Sequence, residues 1–323
     1  MTAARLLALF AVAPLLAGAA LYAAAPAAQG AAGSAPATGA PGSAPAARGG
    51  RGLGGAGRGF GGGRGSILDQ VAIQGGPNSQ KAHEDLLAKA KLGKGKVDIY
   101  FEGDSIFRRW APDPTFEPNY AKYYANWKEN FWGWNAGDFA WGADTIQNIL
   151  WRLRNGELDE LNPKVVVFLG GTNNVTGSNN VDDMTKGLTA CFDEIHKKAP
   201  DAVLIIVGIL PRQANYQPTI DAINANLARL ADGRKTRYVD LKEKFLDKDG
   251  KLIAGMLNND SLHPDTRGYQ AIADAIKPLL TEVLGPPAKD DHAPPPTWDH
   301  TSRTPGATGD YPPKPATASA PAQ

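Results

Sequence analysis

Two short segments of the chain consist almost entirely of apolar residues: KVVVFLGG at 164–171 and AVLIIVGIL at 202–210. Such runs are typical of strands that are covered on both faces of a sheet. VDIYFEG at 97–103 and TRYVDL at 236–241 predict two more strands. Because helical patterns separate these runs, we expect an α/β fold: a three-layer α/β/α sandwich around an open, mostly parallel sheet.

The intervening segments carry helical periodicity. In DTIQNILWRLRNG, residues 144–156, apolar side chains recur at helical spacing, Asp144 with Gln147 resembles a capping box, and Asn155 marks the end. Residues between the first strand and about 143 are expected to be a long irregular segment. The remaining predicted helices cover 80–91, 181–199, the region from Ile220 to Leu230, and a last segment with Pro264 in its first turn.

The N-terminus has the pattern of a signal peptide. Arg5 supplies a positive start, LLALFAVAPLLAGAAL follows as an apolar run, and small residues continue through Ala28. We therefore expect residues 1–28 to direct export, which implies a secreted or periplasmic protein with no stable membrane insertion after processing. The alternative is an uncleaved membrane anchor, because the apolar run is near the lower length limit for spanning.

Composition divides the rest of the chain. Residues 29–66 are rich in Ala, Gly, Pro and Arg, and residues 286–323 are rich in Pro, Ala and Thr. Neither segment has enough apolar side chain to offset the entropy cost of ordering it, so both are expected to be disordered. One domain is therefore expected over 67–285. The arginine–glycine run fits a flexible spacer better than a site for an acidic polymer.

The single cysteine and the net charge exclude several classes of protein. Cys191 is the only cysteine, so the chain has no intramolecular disulfide, and it falls on the apolar stripe of a predicted helix, as a buried inert thiol does. The formal net charge of +1 gives no indication of a nucleic-acid partner.

Polar residues follow three of the predicted strands at their carboxyl ends, where active sites of such sheets collect. Gly103-Asp104-Ser105 follows the first strand, GGTNN at 170–174 follows the next, and DSLHP at 260–264 follows the last. A hydroxyl, an amide and an Asp–His pair are therefore expected to converge on one edge. Acyl transfer needs such a nucleophile, oxyanion donor and oriented base.

Of the five histidines, His263 is the one placed at a strand end. Asp260 can orient its ring, and the alternative for this pair is a helix N-terminal cap before Pro264. The histidines are dispersed and no cluster has metal-ligand spacing, so no metal or other cofactor is expected.

These motifs resemble the four blocks of the SGNH, or GDSL, hydrolase superfamily over about 97–285. The stretch from Gly142 to Asn174 is also similar to the platelet-activating-factor acetylhydrolase catalytic subunits. The resemblance implies an SGNH/flavodoxin-like fold and a cofactor-free serine esterase, with Ser105 as nucleophile, His263 as base and Asp260 as its partner. The resemblance allows a homodimer but does not require one.

The resemblance also implies an oxyanion hole made by the backbone amide of Ser105, the side chain of Asn173 and a backbone amide at Gly142 or Ala143. Alignment with the family places Ala143 where the family has glycine. Alanine keeps the N–H, but its methyl group can narrow the acyl pocket.

The segment 107–141 holds nearly half of the aromatic residues, beside the proposed nucleophile. Most of these rings are expected in the core and two or three at the site, where they suit sugar rings or apolar acyl groups. Trp110 and Trp141, with Asp104 and Asn174, are the candidate substrate-binding residues. We therefore expect an esterase that removes acetyl groups from carbohydrate. The alternatives are a short-chain lipid esterase or lysophospholipase, and an exported binding module with a vestigial site.

Overall fold

The computed structural model describes residues 65–76, 79–177 and 180–297. The predicted signal peptide, the linker up to residue 64 and the tail after residue 297 lie outside the described residues. Export and the disorder of these segments therefore stay predictions.

A five-stranded sheet forms the centre of the domain. Its strands are β1 (Ile99–Gly103), β2 (Ala136–Asp138), β3 (Val165–Leu169), β4 (Val203–Val207) and β5 (Thr236–Val239). They lie in the order β2-β1-β3-β4-β5, and every neighbouring pair is parallel. In such a sheet the strand order reverses between β1 and β3, and ligands bind beyond the carboxyl ends of the strands at this point.

Helices cover both faces of the sheet. They are α1 (Ser79–Gly93), α2 (Ser105–Arg108), α3 (Ala121–Phe131), α4 (Ile146–Arg154), α5 (Thr172–Val175), α6 (Val181–Lys198), α7 (Gln217–Leu230), α8 (Lys242–Phe245) and α9 (Thr266–Leu284), with 3-10 turns at Ile67–Gln70 and Pro118–Tyr120. Within the described ranges no helix is long and apolar enough to cross a membrane.

The strands divide the apolar core into two layers because successive side chains point to opposite faces. Tyr100 and Phe168 pack on one face against α1, α4, α6 and α7. Phe101 and Val167 pack on the other face against α3 and α9. Both layers are fully buried at these strand residues, so the predicted α/β/α sandwich is confirmed.

The segment expected to be irregular up to residue 143 contains α2, α3 and β2. Strand β2 is an edge strand of three residues and pairs with β1 through Ala136 and Ile99. Its sequence, Ala-Gly-Asp, carries none of the β-branched or aromatic residues that favour strands. Its pairing comes from tertiary structure, which is why periodicity did not reveal it.

Two predicted helix starts are wrong by one or two residues. Thr145, not Asp144, is the N-cap of α4, and its backbone N–H donates to Asn148 Oδ1 at 3.0 Å. Pro264 lies outside α9, since Asp265 is the N-cap and the helix begins one residue later. The predicted end of α4 at Asn155 is confirmed.

Residues 286–297, called the C-terminal strap below, pack on the domain, so the boundary expected at residue 285 is wrong. Asp291 Oδ2 accepts a hydrogen bond from the Gly133 backbone N–H at 2.8 Å. The Thr297 hydroxyl accepts one from Lys89 Nζ at 2.7 Å, and both side chains are buried. Composition did not reveal this order because it depends on hydrogen bonds to distant parts of the domain and on the burial of one proline, Pro294, and not on a run of large apolar side chains.

Candidate active site

Ser105 follows the carboxyl end of β1 and is the first residue of α2. Asp104 caps this short helix, with Oδ1 accepting the Ile106 N–H at 3.0 Å. Gly103, which ends β1, packs so closely on β3 that an added Cβ would lie 2.0 Å from the Leu169 carbonyl oxygen. The close strand contact and the cap therefore fix the position of Ser105.

The loop before α9 presents His263. Asp260 Oδ1 accepts the backbone N–H groups of Leu262 and His263, both at 3.0 Å. Ser261 adopts a left-handed backbone with φ of 53°, which lets the loop fold back on itself. The carboxylate thus organises the backbone of the same loop that carries the imidazole.

Ser105, His263 and Asp260 form one hydrogen-bonded chain. His263 Nε2 lies 2.8 Å from Ser105 Oγ, and His263 Nδ1 lies 2.7 Å from Asp260 Oδ2. Ser105 and His263 are buried, whereas the Asp260 side chain is 42% exposed. The structure therefore brings the three predicted residues together in the predicted order.

The local electrostatics favour a neutral imidazole beside an ionised carboxylate. Burial, followed by the nearby Arg109 guanidinium, lowers the pKa of His263 below its usual value, although Asp260 opposes this shift. Burial raises the pKa of Asp260, but hydrogen bonds from the backbone and ring of His263 outweigh it and leave this pKa below its usual value. A neutral imidazole can accept a proton from the Ser105 hydroxyl.

Asn173 lies in α5, directly after β3, on the opposite side of the strand switch point. Its Nδ2 donates to the Asp144 backbone carbonyl at 2.7 Å and it is half-buried at the cavity wall. Gly171, the N-cap of α5, has a φ of 107°, a conformation open to glycine. This turn sets the direction in which Asn173 leaves the sheet.

Gly142 and Ala143 line the same cavity. Ala143 has a φ of 63°, a left-handed conformation that glycine adopts without strain and alanine does not. This backbone fits the alignment that placed Ala143 at a glycine position of the family. The carbonyl of Gly142 accepts a hydrogen bond from Gln74 Nε2 at 3.0 Å, which anchors the loop from outside.

Of the four candidate substrate-binding residues, only Trp141 lines the cavity. Trp110 is fully buried among aromatic rings and its indole N–H donates to Asn126 Oδ1 at 3.0 Å. Asn174 is buried and accepts the Ile146 N–H at 2.9 Å. Asp104 is buried as the cap of α2, and burial raises its pKa to about 7. These three predictions are wrong, because the side chains serve packing and capping.

Sequence reasoning missed several residues that line the cavity, among them Gln74, Arg108, Arg109, Glu117 and Tyr120. Arg108 and Arg109 could have been predicted from sequence, because they follow Ser105 by three and four residues. At that spacing a helix that begins at Ser105 places both on the same face as Ser105. The others come from distant segments, and no local pattern marks them.

Arg152 binds the segments that carry the site. Its buried guanidinium donates to Asp144 Oδ2 and Glu102 Oε1, both at 2.6 Å, and also pairs with Glu157. It further donates to the Gly103 carbonyl at 3.3 Å, just before the turn that bears Ser105. One cation therefore ties the turn after β1 to the loop that leads into α4.

More carboxylates than cations meet at this network. Burial raises the pKa of Glu102 to about 8 and that of Asp144 to about 7, although Arg152 lowers both. His83 extends the network, with Nδ1 at 2.7 Å from Glu157 Oε1. Burial therefore favours the protonated forms of these carboxyl groups, whereas the Arg152 guanidinium favours their ionised forms.

The cavity over Ser105 measures about 460 Å³, within the range of small-molecule sites. A nucleophile, an oriented base and amide donors at its floor are the parts that acyl transfer requires. In the described part of the chain, no group of three or more His, Cys, Asp or Glu side chains is placed to hold a metal ion.

Comparison with known proteins gives one family. Residues 101–271 match the GDSL-like lipase/acylhydrolase family. The α1 subunit of platelet-activating factor acetylhydrolase IB from Rattus norvegicus is 33% identical over 216 residues, covering 66% of this chain and 86% of that protein. The Homo sapiens α2 subunit is 28% identical over 219 residues, covering 66% and 87%.

Among solved structures, a GDSL-like lipase from Bacteroides thetaiotaomicron covers 64% of this chain and 98% of its own, with 21% identity and a TM-score of 0.48. The family match spans more than half of the chain, and the α1 subunit matches along most of its own length. The chain belongs to the GDSL-like lipase/acylhydrolase family and is a carboxylic ester hydrolase.

Proposed function

We propose that the protein removes acetyl groups from carbohydrate, with Ser105 as nucleophile and His263 as general base. The observation that carries this proposal is the 2.8 Å contact between Ser105 Oγ and His263 Nε2 at the floor of the cavity. Asp260 holds the ring through Nδ1, so that Nε2 faces the hydroxyl as a proton acceptor.

In the first half of the reaction, Ser105 Oγ attacks the ester carbonyl while His263 Nε2 takes its proton. The tetrahedral intermediate collapses when the imidazolium returns that proton to the leaving alcohol, which breaks the ester bond and leaves Ser105 acetylated. In the second half, His263 deprotonates a water molecule that attacks the acyl-serine, and acetate departs as Ser105 regains its proton.

Three donors stabilise the negative charge of the intermediate. The backbone N–H of Ser105 lies at the first position of α2, where no acceptor within the helix exists. The second hydrogen of the Asn173 amide remains for the oxyanion, because the first is held by Asp144. A backbone N–H of Gly142 or Ala143 supplies the third donor.

Two features support acetyl as the acyl group. The methyl group of Ala143 projects from a loop that lines the cavity and takes up space that glycine would leave open. The relatives described above are named acetylhydrolases.

Two aromatic rings support a sugar as the alcohol half. Trp141 and Tyr120 both line the cavity, Trp141 beside Arg108 and Tyr120 beside Arg109. Aromatic faces bind the apolar faces of sugar rings at low entropic cost. The rival substrate is a short-chain phospholipid, which the names of the relatives favour.

We also propose that the protein is exported, on the pattern of residues 1–28 described above. N-terminal sequencing of the protein recovered from the periplasm or medium tests this. Recovery of the protein inside the cell with Met1 retained would contradict export.

Acetate release from a matched panel tests the function. The panel holds acetylated xylose and glucose oligosaccharides, acetylglycerol, and a phosphatidylcholine that carries an acetyl group, each assayed with the native protein and the Ser105→Ala variant. We expect release from the sugars that the variant lacks. Faster release from the phospholipid would support the rival, and equal release by the variant would overturn the mechanism.

A further inference from the structure

Two consecutive arginines stand beside the nucleophile. Arg108 and Arg109 both line the cavity over Ser105. The Arg108 guanidinium lies 5.5 Å from the centre of the Trp141 ring, and that of Arg109 lies 5.6 Å from the centre of the Tyr120 ring. The wall of the cavity is therefore built from two arginine–aromatic pairs.

Arg108 has its counter-ion within the fold. It is buried and its guanidinium pairs with Glu117, which is also buried. Since Glu117 is the acidic side chain that lines this cavity, its charge is taken up by Arg108. The pair is therefore close to neutral, which leaves Arg109, in contact with Asp260 Oδ2 at 3.4 Å, as the partly exposed arginine of the cavity wall.

Arg109 has most of its donors available. Its side chain is 30% exposed. Among the described residues, the guanidinium makes one hydrogen bond to a side chain, a long contact of 3.4 Å to Asp260 Oδ2. That oxygen already accepts His263 Nδ1 at 2.7 Å. A guanidinium carries five N–H donors in a planar fork, so several can reach a ligand.

We propose that Arg109 binds a carboxylate on the alcohol half of the ester, so that the substrate is an acetylated acidic sugar with a uronic-acid unit. This inference rests on the proposed function. The Arg109 backbone N–H donates to the Ser105 carbonyl at 3.1 Å, which places the two residues one helical turn apart. A carboxylate bound by the guanidinium fork sets the sugar at a fixed distance from the nucleophile.

A sugar acid fits this cavity better than a phospholipid does. Tyr120 beside Arg109 offers a flat face for a ring next to the cation. The large hydrophobic side chains exposed in the described residues are Leu68, Leu92, Trp132 and Leu230, and none of them lines the cavity. A site that takes lipid from a bilayer needs an apolar rim to contact it.

The test compares two sugars that differ in one group. Methyl glucopyranoside and methyl glucopyranosiduronate, each acetylated at the same ring hydroxyl, are assayed for kcat/KM with the native protein. We expect the acid to be preferred by about tenfold or more, the range for hydrogen bonds to a charged group. Arg109→Gln should bring the ratio of the two kcat/KM values close to one.

The ratio cancels any effect of Arg109 on His263, because that effect acts on both substrates. Arg237 lies on β5 outside the cavity and pairs with Glu282 of α9, so it supplies the matched control. Arg237→Gln should leave the ratio unchanged. Raising the salt concentration from about 0.05 to about 0.5 M should reduce the native preference, because ions screen the exposed guanidinium.

Equal kcat/KM for both sugars, or a preference that survives Arg109→Gln, would overturn this inference and leave the proposed function in place. A second pair of esters, acetylglycerol and acetylglycerol phosphate, separates the two sources of anion, a sugar carboxylate and a phosphate group. A larger Arg109-dependent preference in the phosphate pair would overturn the sugar acid in favour of a phospholipid. No acetate from any of the esters would overturn the proposed function and this inference together.

Discussion

The side-chain amide of Asn173 donates a hydrogen bond of 2.7 Å to the backbone carbonyl of Asp144. The carboxylate of the same Asp144 accepts from Arg152 Nε at 2.6 Å, so the acceptor of the amide is itself held in place. One amide hydrogen is thereby fixed, and the geometry of the planar amide fixes the other. The Asn173 donor is oriented before any substrate enters.

Replacing Asn173 should lower turnover far more than it lowers stability. Asn173→Ala removes one of the proposed oxyanion donors, so kcat on p-nitrophenyl acetate should fall about 100- to 1000-fold. KM should change little, because the charge it stabilises develops in the transition state. A fall in kcat of less than about fivefold would contradict the assignment.

The adjacent Asn174 supplies the matched control. It is buried and accepts the Ile146 N–H at 2.9 Å, so Asn174→Ala leaves a buried donor unpaired. The free energy of unfolding should fall by about 1–3 kcal/mol. Urea unfolding measures this, and an Asn174→Ala protein as stable as the native one would contradict the structural role.

Ala143 should control the length of the acyl group. Ala143 lines the cavity and has a left-handed backbone, which glycine adopts without strain. Ala143→Gly should raise kcat/KM for p-nitrophenyl butyrate relative to the acetate. An unchanged profile over acetate, butyrate and hexanoate would show that this methyl group does not border the acyl chain.

The pH dependence should follow the imidazole. Catalysis needs neutral His263, and burial and then Arg109 lower its pKa. The acid limb of kcat/KM should therefore lie below pH 6.5, about the ordinary value for histidine. Arg109→Gln removes a cation that disfavours the imidazolium, so the pKa rises and the limb moves to higher pH. A limb that stays in place or moves to lower pH would contradict this.

The C-terminal strap should contribute to stability through Thr297. Thr297→Val removes one of the two hydrogen-bond acceptors of the buried Lys89 amino group, the other being the Asp138 carbonyl, while keeping the shape. The free energy of unfolding should therefore fall by about 1–3 kcal/mol. Thr297→Ser keeps the hydroxyl and should retain most of that stability. If both variants unfold at the native urea concentration, the strap contact does not stabilise the domain.

Much of the fold could be predicted from sequence because two of the strands are apolar runs, two more have strand-like patterns, and helical patterns lie between them. Strand β2 could not, since Ala-Gly-Asp has no strand propensity and pairs only because β1 lies beside it. The strap could not either, because its order depends on partners such as Lys89 that lie far away in the chain.

The candidate site shows the same division. Ser105 and Asn173 follow strand ends in short polar motifs, and a parallel sheet brings such ends together, whereas His263 reaches them from the loop before α9. Tyr120 and Gln74 enter the cavity from segments without a local signal. Trp110 was predicted to bind substrate but is buried in the core, because an aromatic residue close to the nucleophile in sequence can face the core as readily as the site.

The central claim is that Ser105 is the nucleophile and that His263 activates it. Diisopropyl fluorophosphate, followed by intact mass and peptide mapping, tests this most directly. We predict one adduct per chain, on Ser105, absent in Ser105→Ala and formed orders of magnitude more slowly in His263→Ala, with ester hydrolysis lost in parallel. An adduct on another residue, or normal labelling and hydrolysis in a folded His263→Ala protein, would contradict the account.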